Sequence, residues 1–274
     1  MRIDLHSHSN CSDGLDRPAE LVRHMAHAGI DAFALTDHDT LQGLPEAREE
    51  AAKLGIELIS GAEISADFQG QDDIHILALF VDEKNASFNA RLSERQESRR
   101  TRGERMAEKL VEAGYPLDLD ALRAEIGNGV WARPHIARAL VRAGHASSHD
   151  EAFERFLGRD HPWYVASEKW PALDVVRAVR EAGGVSSLAH ACWYKDPEGL
   201  ARVLASEGLD AIEVFHPDHD PELEARFGNL ARELDLAMTA GSDFHGTPEG
   251  RKHPGGVVGS AEMLGILRAR ARRE

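Results

Sequence analysis

Along the chain, short runs of Val, Ile, Leu and Ala alternate with longer stretches whose apolar residues recur at helical spacing. That alternation predicts successive strand–helix units of an α/β fold. Strands are expected near residues 3–7, 31–36, 56–60, 74–80, 185–190, 210–215 and 237–241. Between them Pro18–Ala28, Leu44–Leu54, Leu173–Ala182, Pro197–Ser206 and Pro221–Leu234 read as amphipathic helices, several opened by a proline that a first helical turn tolerates. Strands linked in this way run parallel and can close. The rhythm breaks between 87 and 170, where helical periodicity continues without a strand. Asp118–Ile126, Pro134–Ala143 and His149–Leu157 read there as short helices joined by glycine-containing turns. Residues 1–86 and 171–274 are therefore expected to form one barrel, with 87–170 a helical insertion that caps it. The basic end, Arg268–Arg273, reads as a solvated last helical turn.

Composition agrees with a folded, water-soluble chain: 274 residues, 42% hydrophobic and 29% charged. With 32 basic and 47 acidic residues the net charge is −15, which disfavours long nucleic acid and anionic membrane as partners unless basic groups are gathered locally. Cys11 and Cys192 are too few for a disulfide framework. No apolar stretch follows Met1, and the longest apolar run, Ile76–Val81, is far short of a membrane span, so a cytoplasmic location is expected. The composition leaves one excess to explain, 15 histidines.

Many of these fall, with carboxylates, at strand ends. His6 and His8 close the first strand, and alternate strand residues share a face, so both imidazoles can address one centre. Asp13 follows in the next loop. His38 sits past the second strand and Glu63 past the third; His75 begins the fourth and His190 ends the fifth; Asp243 and His245 follow the seventh. In a parallel barrel the carboxyl ends of the strands meet at one face. A single His-x-His is a weak signal, whereas nine nitrogen and oxygen donors at successive strand ends point to metal. A catalytic ion commonly takes three or four protein ligands, so nine donors imply two or three ions. Donors of this kind suit Mn²⁺, Fe²⁺ or Zn²⁺, with manganese favoured. Neighbouring divalent ions can activate a water as hydroxide and clamp phosphoryl oxygens during in-line attack.

The motifs His6-Ser7-His8, Asp13-Gly14, Thr36-Asp37-His38, Gly61-Ala62-Glu63, His75, Ala189-His190 and Gly241-Ser242-Asp243-Phe244-His245 resemble the polymerase and histidinol phosphatase (PHP) family. The resemblance implies a distorted (β/α)7 barrel with three divalent ions and metal-dependent phosphoester hydrolysis. It would place one ion on His6, His8, Glu63 and Asp243. A second would share Glu63 with His75 and His190, and a third would sit on Asp13, His38 and His245. Asp13 stands where some relatives carry His. The insertion, with Trp131–Ala137 and Tyr164–Lys169, is similar to the branch of nucleoside 3′,5′-bisphosphate phosphatases and 5′ to 3′ exoribonucleases. The implied reaction removes the 3′-phosphate of a compound such as adenosine 3′,5′-bisphosphate. Trimming of short RNA, another phosphoesterase activity such as histidinol phosphatase, carbon–nitrogen amide hydrolysis and a non-catalytic metal scaffold are the alternatives.

A doubly phosphorylated substrate calls for local cations. Residues 91–110 hold seven basic against four acidic side chains, and Arg99 falls on the apolar stripe of that helix, where it needs a buried anion: substrate or an ion-pair partner. Arg133 and His135 open a short helix, whose free N–H groups favour phosphate, and Lys169 lies in the return to the barrel; all three are candidate substrate contacts. His216, just after the strand Ile212–Phe215, is a candidate phosphate contact or proton donor to the leaving oxygen. The tryptophans, Trp131, Trp163, Trp170 and Trp193, read as packing residues before they read as base-stacking ones.

Overall fold

The apolar runs pair edge to edge around a common axis. The computed structural model describes residues 1–127, 129–166, 170–246 and 252–271. In it β1 (Arg2–Asp4), β2 (Ala32–Leu35) and β3 (Glu57–Phe68) are parallel neighbours, as are β6 (Val185–Leu188), β7 (Ala211–Phe215) and β8 (Ala237–Ala240). Between the two sets lies β4 (Gln71–Leu79), antiparallel to both β3 and β6. The residues just past β8 return to the first strand. Leu5 N–H donates to Ala240 O, Asp243 N–H to His6 O and His8 N–H to Phe244 O, each at 2.9 Å, so the barrel is nearly closed. Two-residue strands β5 (Trp170–Pro171) and β9 (Gly259–Ser260) add to β3 and β1.

The reversed strand corrects the expectation of parallel units throughout, and the reason is local. Only Gln69 and Gly70 separate β3 from β4, both at positive φ (50° and 81°), and a two-residue link with that backbone makes a hairpin; a parallel crossover needs a dozen residues or more. Both strands also run longer than expected, so Glu63 and His75 lie within them. Because β4 is reversed, His75 in its first half reaches the rim addressed by the ends of the parallel strands.

Helices α1 (Pro18–His27) and α2 (Leu44–Leu54) cover one side of the barrel. The insertion is led by a long helix, α3 (Ala86–Glu112), followed by α4 (Leu119–Ile126), α5 (Arg133–Arg142) and α6 (His149–Ala152), which runs into a π turn over Phe153–Leu157. Its residues bury a cluster of their own around Met106, Leu110, Leu122, Ile136, Leu140 and Phe156. The barrel is completed by α7 (Ala172–Glu181), α8 (Pro197–Ser206), α9 (Pro221–Glu233) and α10 (Ala261–Ala271). Of the solvated turn expected over Arg268–Arg273, Arg272 and Arg273 lie outside the described residues, and the arginines before them are tied down. Arg268 pairs with Glu57, and Arg270 donates to the carbonyls of Asp210 (3.0 Å) and Asp235 (2.6 Å), tying the helix to the barrel. Among the described residues no helix is long and apolar enough to cross a membrane.

Candidate metal centre

The nine donors of the sequence converge at one end of the barrel. Glu63 is the hub. Its Oε2 lies 3.3 Å from His6 Nε2, 3.2 Å from His8 Nε2 and 3.2 Å from His38 Nδ1, while Oε1 lies 2.7 Å from His75 Nδ1 and 3.0 Å from His190 Nε2. Asp243 Oδ1 is 3.4 Å from both His6 Nε2 and His8 Nε2. Asp13 faces His245 Nε2 at 3.4 Å and His38 Nε2 at 3.6 Å. Four donors each about 2.1 Å from a shared tetrahedral ion would stand about 3.4 Å apart, the spacing seen here.

The donors also lack other employment. His6 Nε2, both nitrogens of His8, Asp13 Oδ1 and His38 Nδ1 are buried without a hydrogen-bond partner, an arrangement that costs free energy unless a cation is shared among them. Burial alone would raise the carboxyls of Glu63, Asp13 and Asp243, but the surrounding imidazoles hold all three well below their ordinary values. Burial would likewise lower His6 and His8. The carboxylates win, lifting His6 well above its usual value and His8 to about 10, so this cluster of carboxylates favours positive charge among the rings. The donor set therefore fits metal ions.

A layer behind the donors fixes their orientation. Glu213 accepts from His6 Nδ1–H at 3.1 Å and, through its other oxygen, from His190 N–H at 2.8 Å; the first bond leaves the His6 Nε2 lone pair facing the centre. His245 Nδ1–H donates to Asp243 O at 2.9 Å, which turns its Nε2 toward Asp13. Asp37 accepts from Ser9 N–H (2.8 Å), Ser9 Oγ (2.6 Å) and Ser12 Oγ (2.6 Å) and so shapes the loop that delivers Asp13. His190, Asp243 and Asp39 adopt left-handed φ values of 26°, 50° and 52°, a strained backbone at and beside the donors.

Above the donors opens a cavity of about 720 Å³. Its floor includes Asp13, His38, Glu63, His75, His190, Asp243 and His245, and its walls carry Arg95, Arg99, Arg102, Arg133, Arg138 and Lys252. Arg133, a candidate substrate contact from the sequence, lines this cavity. Arg99 also lines the cavity, but its buried anion is within the protein: it donates to Asp39, and to Ser65 Oγ. His135 is corrected. It is buried outside the cavity lining, and its Nδ1 accepts from Ala132 N–H at 3.2 Å, which caps α5. His216 is corrected as well: it is wholly buried beside Asp243 and does not line the cavity. Its Nδ1 accepts from Asp218 N–H at 3.1 Å, and its Nε2 lies 3.5 Å from Asp243 Oδ2, close enough for it to join His6 and Asp243 as a candidate metal donor. Lys169 lies outside the described residues. Trp193 departs from a packing role, being half exposed on the cavity with its ring stacked 3.9 Å from that of His190.

Sequence reasoning missed Glu213, Asp37 and Lys252. A carboxylate inside the apolar strand Ala211–Phe215 was a readable signal for the first, and the Asp37 beside His38 for the second. Lys252 carried none: only the fold sets its Nζ 3.2 Å from Asp218 and 3.6 Å from Asp243, above the Trp193 ring.

Comparison with known proteins agrees with this geometry. Residues 4–158 match the PHP domain model. A 5′-3′ exoribonuclease of Haemophilus influenzae is 34% identical over 89% of this chain and 90% of its own. A 3′,5′-nucleoside bisphosphate phosphatase of Chromobacterium violaceum is 34% identical over 92% and 90%, and a phosphoribosyl 1,2-cyclic phosphate 1,2-diphosphodiesterase of Eggerthella lenta 35% identical over 89% and 94%. A crystal structure from Bifidobacterium adolescentis, described as a metal-dependent phosphoesterase, superposes with a TM-score of 0.89 at 30% identity, covering 98% of this chain and 96% of that one. The chain belongs to the PHP domain family, as a metal-dependent phosphoesterase.

Proposed function

We propose that the protein removes the 3′-phosphate of nucleoside 3′,5′-bisphosphates, giving the 5′-monophosphate and inorganic phosphate. The observation that carries this reading is the composition of one cavity, in which a floor of metal donors faces walls rich in cations. A substrate with two separated phosphates satisfies both surfaces; a cationic amino alcohol phosphate would not use the walls. His6, His8, Glu63 and Asp243 would hold one ion; Glu63, His75 and His190 a second; and Asp13, His38 and His245 a third, with manganese the first candidate. When bound, such ions supply concentrated positive charge that neutralises phosphoryl oxygens and acidifies water.

The chain's own residues then act by placement. Glu213 and the Asp243 carbonyl fix which nitrogen His6 and His245 present to the centre. The helical insertion, residues 87–170, serves as the substrate-binding cap, since Arg95, Arg99, Arg102, Arg133 and Arg138 all reach the cavity from it. Trp193 and Leu15 offer exposed apolar surface at the same cavity, suited to a sugar or base.

The second reading, a 5′ to 3′ exoribonuclease on short RNA, is favoured by the exoribonuclease relative, which is matched over nearly its full length. Manganese-loaded protein incubated with adenosine 3′,5′-bisphosphate and with a 5′-phosphorylated trinucleotide separates the two. Phosphate release from the bisphosphate at much the higher kcat/KM supports the phosphatase; preferred release of mononucleotides from the trinucleotide replaces it with the exonuclease.

A further inference from the structure

The chain past β6 folds back on its own metal donor. His190 leaves the strand at a left-handed φ of 26°, and Ala191–Trp193 then makes one 3₁₀ turn. Residues three and four places on therefore return to the ring they follow. Trp193 stacks on one face of the His190 imidazole, with ring centroids 3.9 Å apart, and the Tyr194 hydroxyl lies 3.4 Å from its Nδ1. The same hydroxyl crosses to β4. It accepts from His75 N–H at 2.9 Å and reaches the His75 carbonyl oxygen at 3.5 Å. One buried phenol thus touches both histidines proposed to share an ion with Glu63.

A phenol suits this place because it carries one proton and can also accept. One acceptor position is filled by His75 N–H. What remains answers either tautomer of His190, whose Nε2 stands 3.0 Å from Glu63 Oε1. With its proton on Nε2, the neutral ring donates to Glu63, and its bare Nδ1 accepts from the phenol. With the proton on Nδ1, the ring donates to the phenol oxygen, the phenol proton turns to the His75 carbonyl, and the Nε2 lone pair is free for metal. A carbonyl could only accept here, and a backbone N–H could only donate. A group that does both keeps Nδ1 satisfied in each state, and a buried nitrogen without a partner is costly.

We propose that Tyr194 is a positioning residue of the metal centre: its hydroxyl ties the His75 backbone to His190, and accepts from Nδ1–H when Nε2 is given over to the ion shared with Glu63. The proposal rests on the assignment of Glu63, His75 and His190 to one ion, and on nothing about the substrate.

Tyr194→Phe keeps the ring and removes the hydroxyl. Equilibrium dialysis of metal-free protein against manganese, with bound metal counted per chain, should show one class of site weakened about tenfold or more, the class that His75→Ala abolishes, and the others unchanged. A spectroscopic readout separates positioning from general support of the fold. In zinc-loaded protein labelled with ¹⁵N-histidine, the His190 Nδ1–H signal, assigned by its absence in His190→Gln, should exchange slowly with solvent in wild type and quickly in Tyr194→Phe. Wild-type affinity at every site, equal weakening of all sites, or an unmoved Nδ1–H signal overturns the proposal. Identical dialysis curves for wild type and His75→Ala overturn the ligand assignment, and the proposal with it. Neither readout involves turnover, so the choice of substrate is judged separately.

Discussion

Glu213 touches no substrate, yet it decides what His6 can do. A neutral imidazole that donates from Nδ1 presents a lone pair at Nε2, and the 3.1 Å bond to Glu213 favours that tautomer, while the second Glu213 oxygen orders the backbone of His190. One buried carboxylate thereby supports ligands of two proposed ions. Partners of this kind typically contribute 10–100-fold to metal affinity. Glu213→Gln should therefore weaken manganese binding by about that factor in a calorimetric titration, with the circular dichroism spectrum unchanged; wild-type affinity would show that His6 needs no such support. At this scale the donors were legible because His, Asp and Glu at strand ends have few other uses. The supporting residues were legible only in part, since an isolated Glu in a strand announces that something buried must satisfy it without saying what. His216 and His135 illustrate the limit. Their positions at a strand end and a helix start matched substrate contacts, and only the fold shows that one is buried beside a ligand and the other caps its own helix.

At the scale of elements, the site depends on backbone segments approaching more closely than side chains would allow. Gly241, just past β8, lies directly against His6, just past β1: an added Cβ would collide with His6 Cβ and lie 2.8 Å from His6 N. Gly241→Ala must therefore push apart the two segments, just past β1 and β8, that carry His6 and Asp243. A loss of about 1–3 kcal/mol of stability is expected from such overpacking, together with weakened metal binding. Gly265→Ala is the control, because an added Cβ there would meet nothing within 4 Å and the residue sits in a helix, where alanine is favoured by about 0.5–1 kcal/mol. Thermal melts of the two variants should move in opposite directions; a harmless Gly241→Ala would contradict the close-approach argument. The strand and helix order was readable from periodicity, because both patterns are strong in short buried strands and amphipathic helices. The reversal of β4 was not. Apolar alternation is the same in either direction, and the deciding feature was a two-residue turn at Gln69–Gly70.

At the scale of the whole molecule, the acidic balance and the basic insertion describe one design. A chain of net charge −15 gathers a group of its cations on the cavity wall above the metal donors, an arrangement suited to the small polyanion proposed as substrate. The central claim is that this place breaks the 3′-phosphoester by attack of water at phosphorus. Turnover of adenosine 3′,5′-bisphosphate in ¹⁸O-labelled water, followed by mass spectrometry of both products, tests it directly. The account predicts one labelled oxygen in the released inorganic phosphate and none in the 5′-monophosphate. Label in the nucleotide, or no release of phosphate from a metal-loaded protein, would contradict it.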